Sequence, residues 1–133
     1  MKIYFLISVI GILLLSCTND DDSEQSSFIG KTFDHLYFKT EQECTNAQTN
    51  QDFFINCHQE LSFTDNKKAV IMLTDIRYSV NYTIEGNKII INASPSTSGF
   101  LNNMTFEIIN ASSLKLINDH TTWNERIGNT LWD

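Results

Sequence analysis

The sequence has little proline, little glycine and few positively charged residues. Of its 133 residues one is proline, five are glycine and nine are lysine or arginine, against sixteen aspartate or glutamate residues. The formal net charge of −7 at pH 7 excludes nucleic acid as an expected partner, because affinity for phosphate backbones comes mostly from clustered lysine and arginine. The length is enough for one domain and not for two.

Sequence motifs that carry catalysis or bind metal are also missing. The hydroxyl-rich residues 94–99 lack the Gly-x-Ser-x-Gly elbow of serine hydrolases, and the chain has no glycine-rich phosphate loop and no calcium-binding loop. The three histidines, His35, His58 and His120, have none of the short spacings typical of metal ligands. We therefore expect a protein that is not an enzyme and that holds no metal or cofactor.

The one long apolar run lies in residues 3–15. It is shorter than the roughly 20 residues that span a membrane, but it suits the apolar part of a signal peptide. The motif that follows, Leu14-Leu15-Ser16-Cys17, resembles the lipobox of bacterial lipoproteins. This resemblance implies that residues 1–16 are a signal peptide and that Cys17 becomes the acylated first residue of the mature protein. The alternative is an ordinary secretory signal with an incidental cysteine.

A polar, acidic segment follows Cys17, and the two together make up residues 17–27. Four of the ten residues 18–27 are acidic and none is apolar, so they cannot bury enough surface to fold, and we expect a disordered tether. The acidic run resembles the surface-export signal of Bacteroidetes lipoproteins. We expect a cell-envelope protein held on a lipid bilayer through acylated Cys17, with the outer membrane as its location. Display on the cell surface and retention on the periplasmic side both stay open.

Cys44 and Cys57 are the two cysteines that remain once Cys17 is lipidated. An even pair in an exported chain predicts a disulfide, and closing a loop of this size stabilises the fold by about 3 kcal/mol in the chain-entropy model. The sequence has no Cys-x-x-Cys motif, which argues against a redox or metal pair. Residues 41–51 are polar and without a hydrophobic period, so we predict a surface loop that the disulfide clips at its base. A short helix over residues 41–48 is the alternative.

From Phe28 onward the hydrophobic pattern has a period of two, which is typical of strands with one buried face. It is clearest in residues 78–84, which Gly86-Asn87 follows as a hairpin-turn signal. Similar runs occupy residues 31–38, 52–63, 69–73, 89–91, 103–109 and 114–116, with Trp123 and residues 131–132 as a final strand or closing tail. The pattern predicts an all-β domain over residues 28–133, an antiparallel up-and-down meander of seven or eight strands.

Four segments, in this order, resemble the lipocalin-like lipoprotein domains of Bacteroidetes. They are Phe28-Ile29-Gly30-Lys31-Thr32-Phe33, Leu61-Ser62-Phe63-Thr64-Asp65-Asn66, Tyr82-Thr83-Ile84-Glu85-Gly86-Asn87-Lys88-Ile89-Ile90-Ile91 and Phe106-Glu107-Ile108-Ile109 with Leu114-Lys115-Leu116. Phe33 stands where that family usually has tryptophan. The resemblance covers most of residues 28–124 and implies a small barrel or half-barrel. It implies little about the ligand, since one fold hosts many functions.

Aromatic side chains are the candidate ligand-binding residues. They are Phe33, Tyr37, Phe53, Phe54, Tyr78, Tyr82 and Phe106. They suit the lining of a barrel or an open sheet face that holds a small apolar molecule such as a lipid, and the alternative is that they form the core. A second hypothesis is a protein-interaction module that uses residues 41–51 and 94–99, because rigid sheets commonly present function on loops. A cavity larger than about 300 Å³ favours the ligand hypothesis.

Overall fold

The computed structural model describes residues 27–94 and 102–132. These residues form eight antiparallel strands and one helix, and each strand pairs with the next while the last pairs with the first, so the sheet closes into a barrel. The elements are β1 Thr32–Leu36, α1 Glu41–Thr49, β2 His58–Phe63, β3 Lys68–Met72, β4 Arg77–Glu85, β5 Lys88–Asn92, β6 Met104–Asn110, β7 Ser113–Leu116 and β8 Thr122–Glu125. The prediction of an all-β, up-and-down antiparallel barrel is confirmed.

Several predicted segments fall outside the described residues. The predicted signal peptide over residues 1–16, the predicted lipidation site Cys17 and nearly all of the predicted tether lie there, as do residues 95–99 of the predicted loop. The prediction of a β-domain over residues 28–133 covers the whole described barrel. Phe28, the first residue of the predicted domain, is part of the core.

Strand β4 and the hairpin after it follow the sequence pattern closely. Val80 and Tyr82 are buried, whereas Ser79 and Asn81 between them are exposed, as a strand with one solvated face requires. Gly86 in the β4–β5 turn has a φ of 58°. This backbone conformation favours glycine, because a Cβ atom strains it. The predicted hairpin is confirmed.

The interior of the barrel is filled with side chains. Eleven of the described residues are less than 2% exposed, and the largest of them are Trp123, Tyr82, Phe33, Phe63 and Phe106. Their rings pack edge to face, with centroids 4.9 Å apart for Phe63 and Tyr82 and 5.2 Å apart for Phe106 and Trp123. Eight strands enclose a space just wide enough for such packing, so the described interior is a solid core.

One end of the barrel is closed by the residues that lead into β1. The ring of Phe28 is buried against Phe33 and Phe63, with centroids 6.0 and 5.5 Å away. A tight turn places it there, because the amide of Gly30 donates to the carbonyl of Phe63 at 2.9 Å and that of Lys31 donates to the carbonyl of Phe28. We call this the Phe28 end and the opposite one, where α1 lies, the α1 end.

The connection between β1 and β2 differs from the predicted loop. It contains α1, as the alternative proposed, and the side chain of Thr40 caps this helix by accepting a hydrogen bond from the amide of Glu43 at 3.2 Å. Acidic residues in the first turn also favour the positive helix terminus. The loop prediction was wrong because helix capping, rather than an apolar stripe, defines this helix.

The predicted strand over residues 52–63 begins only at His58. The side-chain amide of Gln48 donates to the carbonyl of Phe53 at 3.0 Å and accepts from the amide of Ile55 at 2.7 Å. These bonds engage backbone groups that a strand would pair with its neighbour. The predicted disulfide is confirmed: Cys44 in α1 is bonded to Cys57 just before β2, with Cα atoms 5.8 Å apart.

Candidate functional site

The structure does not bring the candidate aromatic residues together. Phe33, Tyr82 and Phe106 are buried in the core, and Tyr78 packs against it half-buried. Tyr37 and Phe53 are 50% and 65% exposed at the α1 end. The split follows from their positions in the chain. The four core aromatic residues lie at inward positions of strands, whereas Tyr37 and Phe53 lie in the connection between β1 and β2, outside the sheet.

A cleft of about 570 Å³ lies on the outer wall of the barrel at the α1 end, and we call it the outer cleft. Helix α1 and residues 54–58 form one side of it, and residues 131–132 form another. Its surface is mostly apolar. The volume falls within the range of roughly 300 to 1,000 Å³ that holds small molecules in proteins.

The floor of the outer cleft is formed by outward side chains of β2 and β3. Leu61 and Ile71 point into the core and are fully buried, so His58 and Met72 point outward and line the cleft. Sequence reasoning missed this floor. In the sequence pattern, outward residues of a strand are the same as solvent-exposed positions. Only the structure shows that another segment covers them.

One face of helix α1 forms a wall of the cleft. Glu41, Cys44, Thr45 and Gln48 line it, and their spacing of three and four places them on one side of a helix. Only Cys44 among the helix residues is buried. The disulfide therefore ties a polar helix to the residue before β2, and the hydrogen bonds of Gln48 tie the helix to residues 53–55.

Another side of the cleft comes from residues 131–132, in the segment that follows β8. Arg126 holds the start of this segment, since its Nε donates to Asp34 Oδ2 at 2.8 Å and its Nη2 to Asp34 Oδ1 and, at 2.7 Å, to Glu60 Oε2. Asp34 and Glu60 are paired in register on β1 and β2, and both point to the outer wall. Their exposed fractions of 6% and 4% make this a nearly buried ion-pair cluster.

The protonation of this cluster follows from its contacts. The hydrogen bond to Asp34 raises the pKa of Arg126 far above its ordinary value, against the opposing effect of burial. Burial acts to raise the pKa of Glu60, but the hydrogen bond and charge of Arg126, together with the charge of Arg77, outweigh it and lower that pKa. Both groups are therefore charged at neutral pH.

His58 lies beside the cluster and faces the outer cleft. Burial lowers the pKa of His58 below its ordinary value, although the carboxylates of Asp34 and Glu60 act in the other direction. The imidazole is accordingly uncharged near neutral pH. It offers the cleft a neutral hydrogen-bonding group.

Ligand atoms of Asp34, His58 and Glu60 lie within 4.8 Å of one another, a spacing that a metal ion can bridge. The guanidinium of Arg126 already donates to both carboxylates, so a divalent ion would stand against a fixed positive charge. We interpret the group as an ion-pair cluster. The other two histidines lie elsewhere, since His35 stacks on Trp123 and His120 is exposed with a φ of 63°.

Exposed apolar side chains also gather at the α1 end. They are Leu36, Tyr37, Phe53, Phe54 and Ile76, with exposed fractions from 37% to 67%. A shallow second cleft adjoins the outer cleft there and shares Ile55, Asn56 and Thr74 with it. This end of the barrel therefore offers apolar surface both inside the outer cleft and around it.

Among residues 27–94 and 102–132, no helix combines the length and the hydropathy needed to cross a membrane. Helix α1, the one helix of that part of the chain, has nine residues. Comparisons with protein-family models, with curated proteins and with solved structures find no match for this chain.

Proposed function

We propose that this protein is a lipid-anchored binding protein of the bacterial cell envelope that holds a small apolar ligand in the outer cleft. The observation that carries the proposal is the mostly apolar cleft of about 570 Å³ between α1, residues 54–58 and Trp132. Such clefts with a few polar groups are the usual form of small-molecule sites. The protein binds its ligand without transforming it.

The ligand lies outside the barrel and not in its lumen. The described interior is occupied by Trp123, Tyr82 and other large side chains that are less than 2% exposed. Opening a lumen would cost several kcal/mol for each core side chain displaced. The outer cleft needs no such rearrangement, because its walls are held by a disulfide and by the Arg126 cluster.

The lipid anchor rests on the sequence. The apolar leader, the motif Leu14-Leu15-Ser16-Cys17 and the acidic residues behind it support export and acylation. Two or three acyl chains on Cys17 hold a protein firmly on a membrane, whereas one chain does not.

The binding proposal can be tested with Nile red, a neutral dye that fluoresces in apolar surroundings. All described strands, the core and the disulfide lie within residues 27–132, so a fragment that begins at Glu24 is expected to fold on its own. We expect saturable binding of about one dye per chain. Substituting Thr45→Trp on the cleft face of α1 should weaken binding about tenfold, or roughly 1.4 kcal/mol.

The matched control is Asn46→Trp, because Asn46 lies on the same helix and does not line the outer cleft. It should leave the dissociation constant unchanged. Circular dichroism and thermal unfolding of both variants verify that they fold. Equal binding by both variants would place the dye elsewhere, and unsaturable binding by the parent fragment would refute the ligand proposal.

The second candidate function is a protein-interaction module on the cell surface. Phe53 and Phe54, which are 65% and 67% exposed, favour it, since exposed apolar patches often mark interaction sites. A photo-crosslinking residue at position 53 would then capture one partner on intact cells. The same residue at Thr83, an exposed position of β4, should capture none.

A further inference from the structure

The charged groups around the outer cleft are unbalanced in sign. Glu41 and Asp75 line the cleft, and among residues 27–94 and 102–132 no lysine or arginine does. Helix α1 contributes Glu41 and the turn between β3 and β4 contributes Asp75, so the two carboxylates come from different elements. Both residues are exposed, which leaves them free to turn towards a bound group.

The positive charges of Arg77 and Arg126 do not neutralise the carboxylates of Glu41 and Asp75. Arg126 donates to Asp34 and Glu60, and Arg77 lies 3.3 Å from Glu60. Two guanidinium groups thus face two nearly buried carboxylates, and the charge of this cluster is balanced. Since His58 is uncharged near neutral pH, Glu41 and Asp75 leave the cleft with a local excess of negative charge.

The cleft also offers aromatic surface. Phe54 and Trp132 line it, and Phe54 is 67% exposed. The face of an aromatic ring attracts ammonium groups, most strongly for tryptophan. A mostly apolar surface, two aromatic side chains and two exposed carboxylates together suit a cationic amphiphile rather than a fatty acid.

We infer that the outer cleft takes a cationic apolar ligand, one with a hydrocarbon or aromatic body and an amine or quaternary ammonium group beside Glu41 and Asp75. This inference rests on the proposed function and specifies its ligand class. A carboxylate head group would meet repulsion from these two carboxylates. A neutral ligand binds through the apolar surface alone.

The test compares decyltrimethylammonium, decanol and decanoate, which share one chain length and differ in head-group charge. Each displaces Nile red from the fragment that begins at Glu24, at concentrations below micelle formation and near neutral pH. We expect the cation to bind about fivefold more tightly than the neutral alcohol, which is the factor that two exposed ion pairs of ordinary strength supply. The anion should bind more weakly than the alcohol, and added salt should reduce both differences.

The double variant Glu41→Gln with Asp75→Asn should bind decyltrimethylammonium and decanol with similar affinities. The control Glu85→Gln removes an exposed carboxylate at the Phe28 end and should preserve the preference. Decanoate binding as tightly as the cation, or a preference that survives the double variant, would overturn the inference. Failure of all three probes to displace Nile red would instead count against the proposed function.

Discussion

Arg126 connects three parts of the barrel through one side chain. It follows β8, its guanidinium reaches carboxylates on β1 and β2, and its backbone amide donates to the carbonyl of Thr32 at 2.8 Å. Asp34 and Glu60 are nearly buried, and a buried carboxylate without a partner is strongly destabilising. The side chain of Arg126 therefore has a larger effect on stability than an exposed arginine.

Substituting Arg126→Ala should lower the free energy of unfolding by about 3 kcal/mol at neutral pH, the lower end of the range for a buried pair because Arg126 is partly exposed. The control Arg77→Ala removes a partner of the same Glu60, but the side chain of Arg77 is 64% exposed, so we expect a loss of about 0.5 kcal/mol. Urea unfolding of both variants measures the difference. Similar losses in the two would contradict the assigned role of Arg126.

Acid should reduce the difference in the free energy of unfolding between Arg126→Ala and the parent protein. The pKa of Glu60 is lowered in the folded protein, so its contribution to stability is present above the unfolded pKa of about 4.3 and is lost as pH falls through the folded pKa. Without Arg126, burial raises the pKa of Glu60. As the pH falls, protonation of Glu60 removes a buried charge that Arg126 no longer balances, and the free energy of unfolding of the variant rises. Unfolding curves between neutral pH and about pH 4 should therefore converge.

Helix α1 depends on its attachment to the barrel. It has nine residues, and Cys44 is its one buried side chain, so neither its length nor an apolar stripe would stabilise it alone. Thr40 caps the N-terminus of the helix, and the disulfide ties Cys44 of the helix to Cys57. Since the same helix forms a wall of the outer cleft, the cleft depends on the disulfide as well.

The double substitution Cys44→Ala with Cys57→Ala should release α1 while the barrel persists. We expect a loss of about 3 kcal/mol in the free energy of unfolding, faster amide exchange in α1, and weaker Nile red binding. Amides of β4 and β5 serve as the internal control and should stay protected, because the core residues of these strands do not contact the helix wall. Unchanged exchange in α1 would mean that other contacts hold the helix.

The whole molecule has two different ends. The chain enters the barrel at the Phe28 end, where the ring of Phe28 covers the core. The outer cleft lies at the α1 end. If Cys17 is anchored, the eleven residues from Cys17 to Phe28 span at most roughly 40 Å, and they join the barrel at the end opposite the outer cleft.

The substitution Cys17→Ala tests the anchor. In cells fed a labelled fatty acid, the parent protein should carry the label and the variant should not, because the thiol that accepts the lipid is gone. Cys44 and Cys57 are joined in the disulfide, so they are not alternative acceptors. Label that persists in the variant would refute lipidation at Cys17.

Sequence patterns predicted the barrel well because strand alternation is local. Residues 78–84 alternate between core and surface as their sequence alternates, and the Gly86 turn follows them. The pattern was less informative where backbone hydrogen bonds go to side chains. Phe53 and Ile55 alternate like strand residues, yet Gln48 bonds their backbone groups and they stay outside the sheet.

The amino-acid sequence alone determined the β-class, the hairpins and the disulfide partners, because period two, turn residues and a single remaining cysteine pair are properties of neighbouring positions. Only the tertiary structure decided where a ligand can lie. The barrel filled its own interior with the aromatic residues that the sequence offered as ligand contacts. The outer cleft arose instead where α1, the outward faces of β2 and β3, and Trp132 meet, and barrel closure and strand register bring such distant residues together.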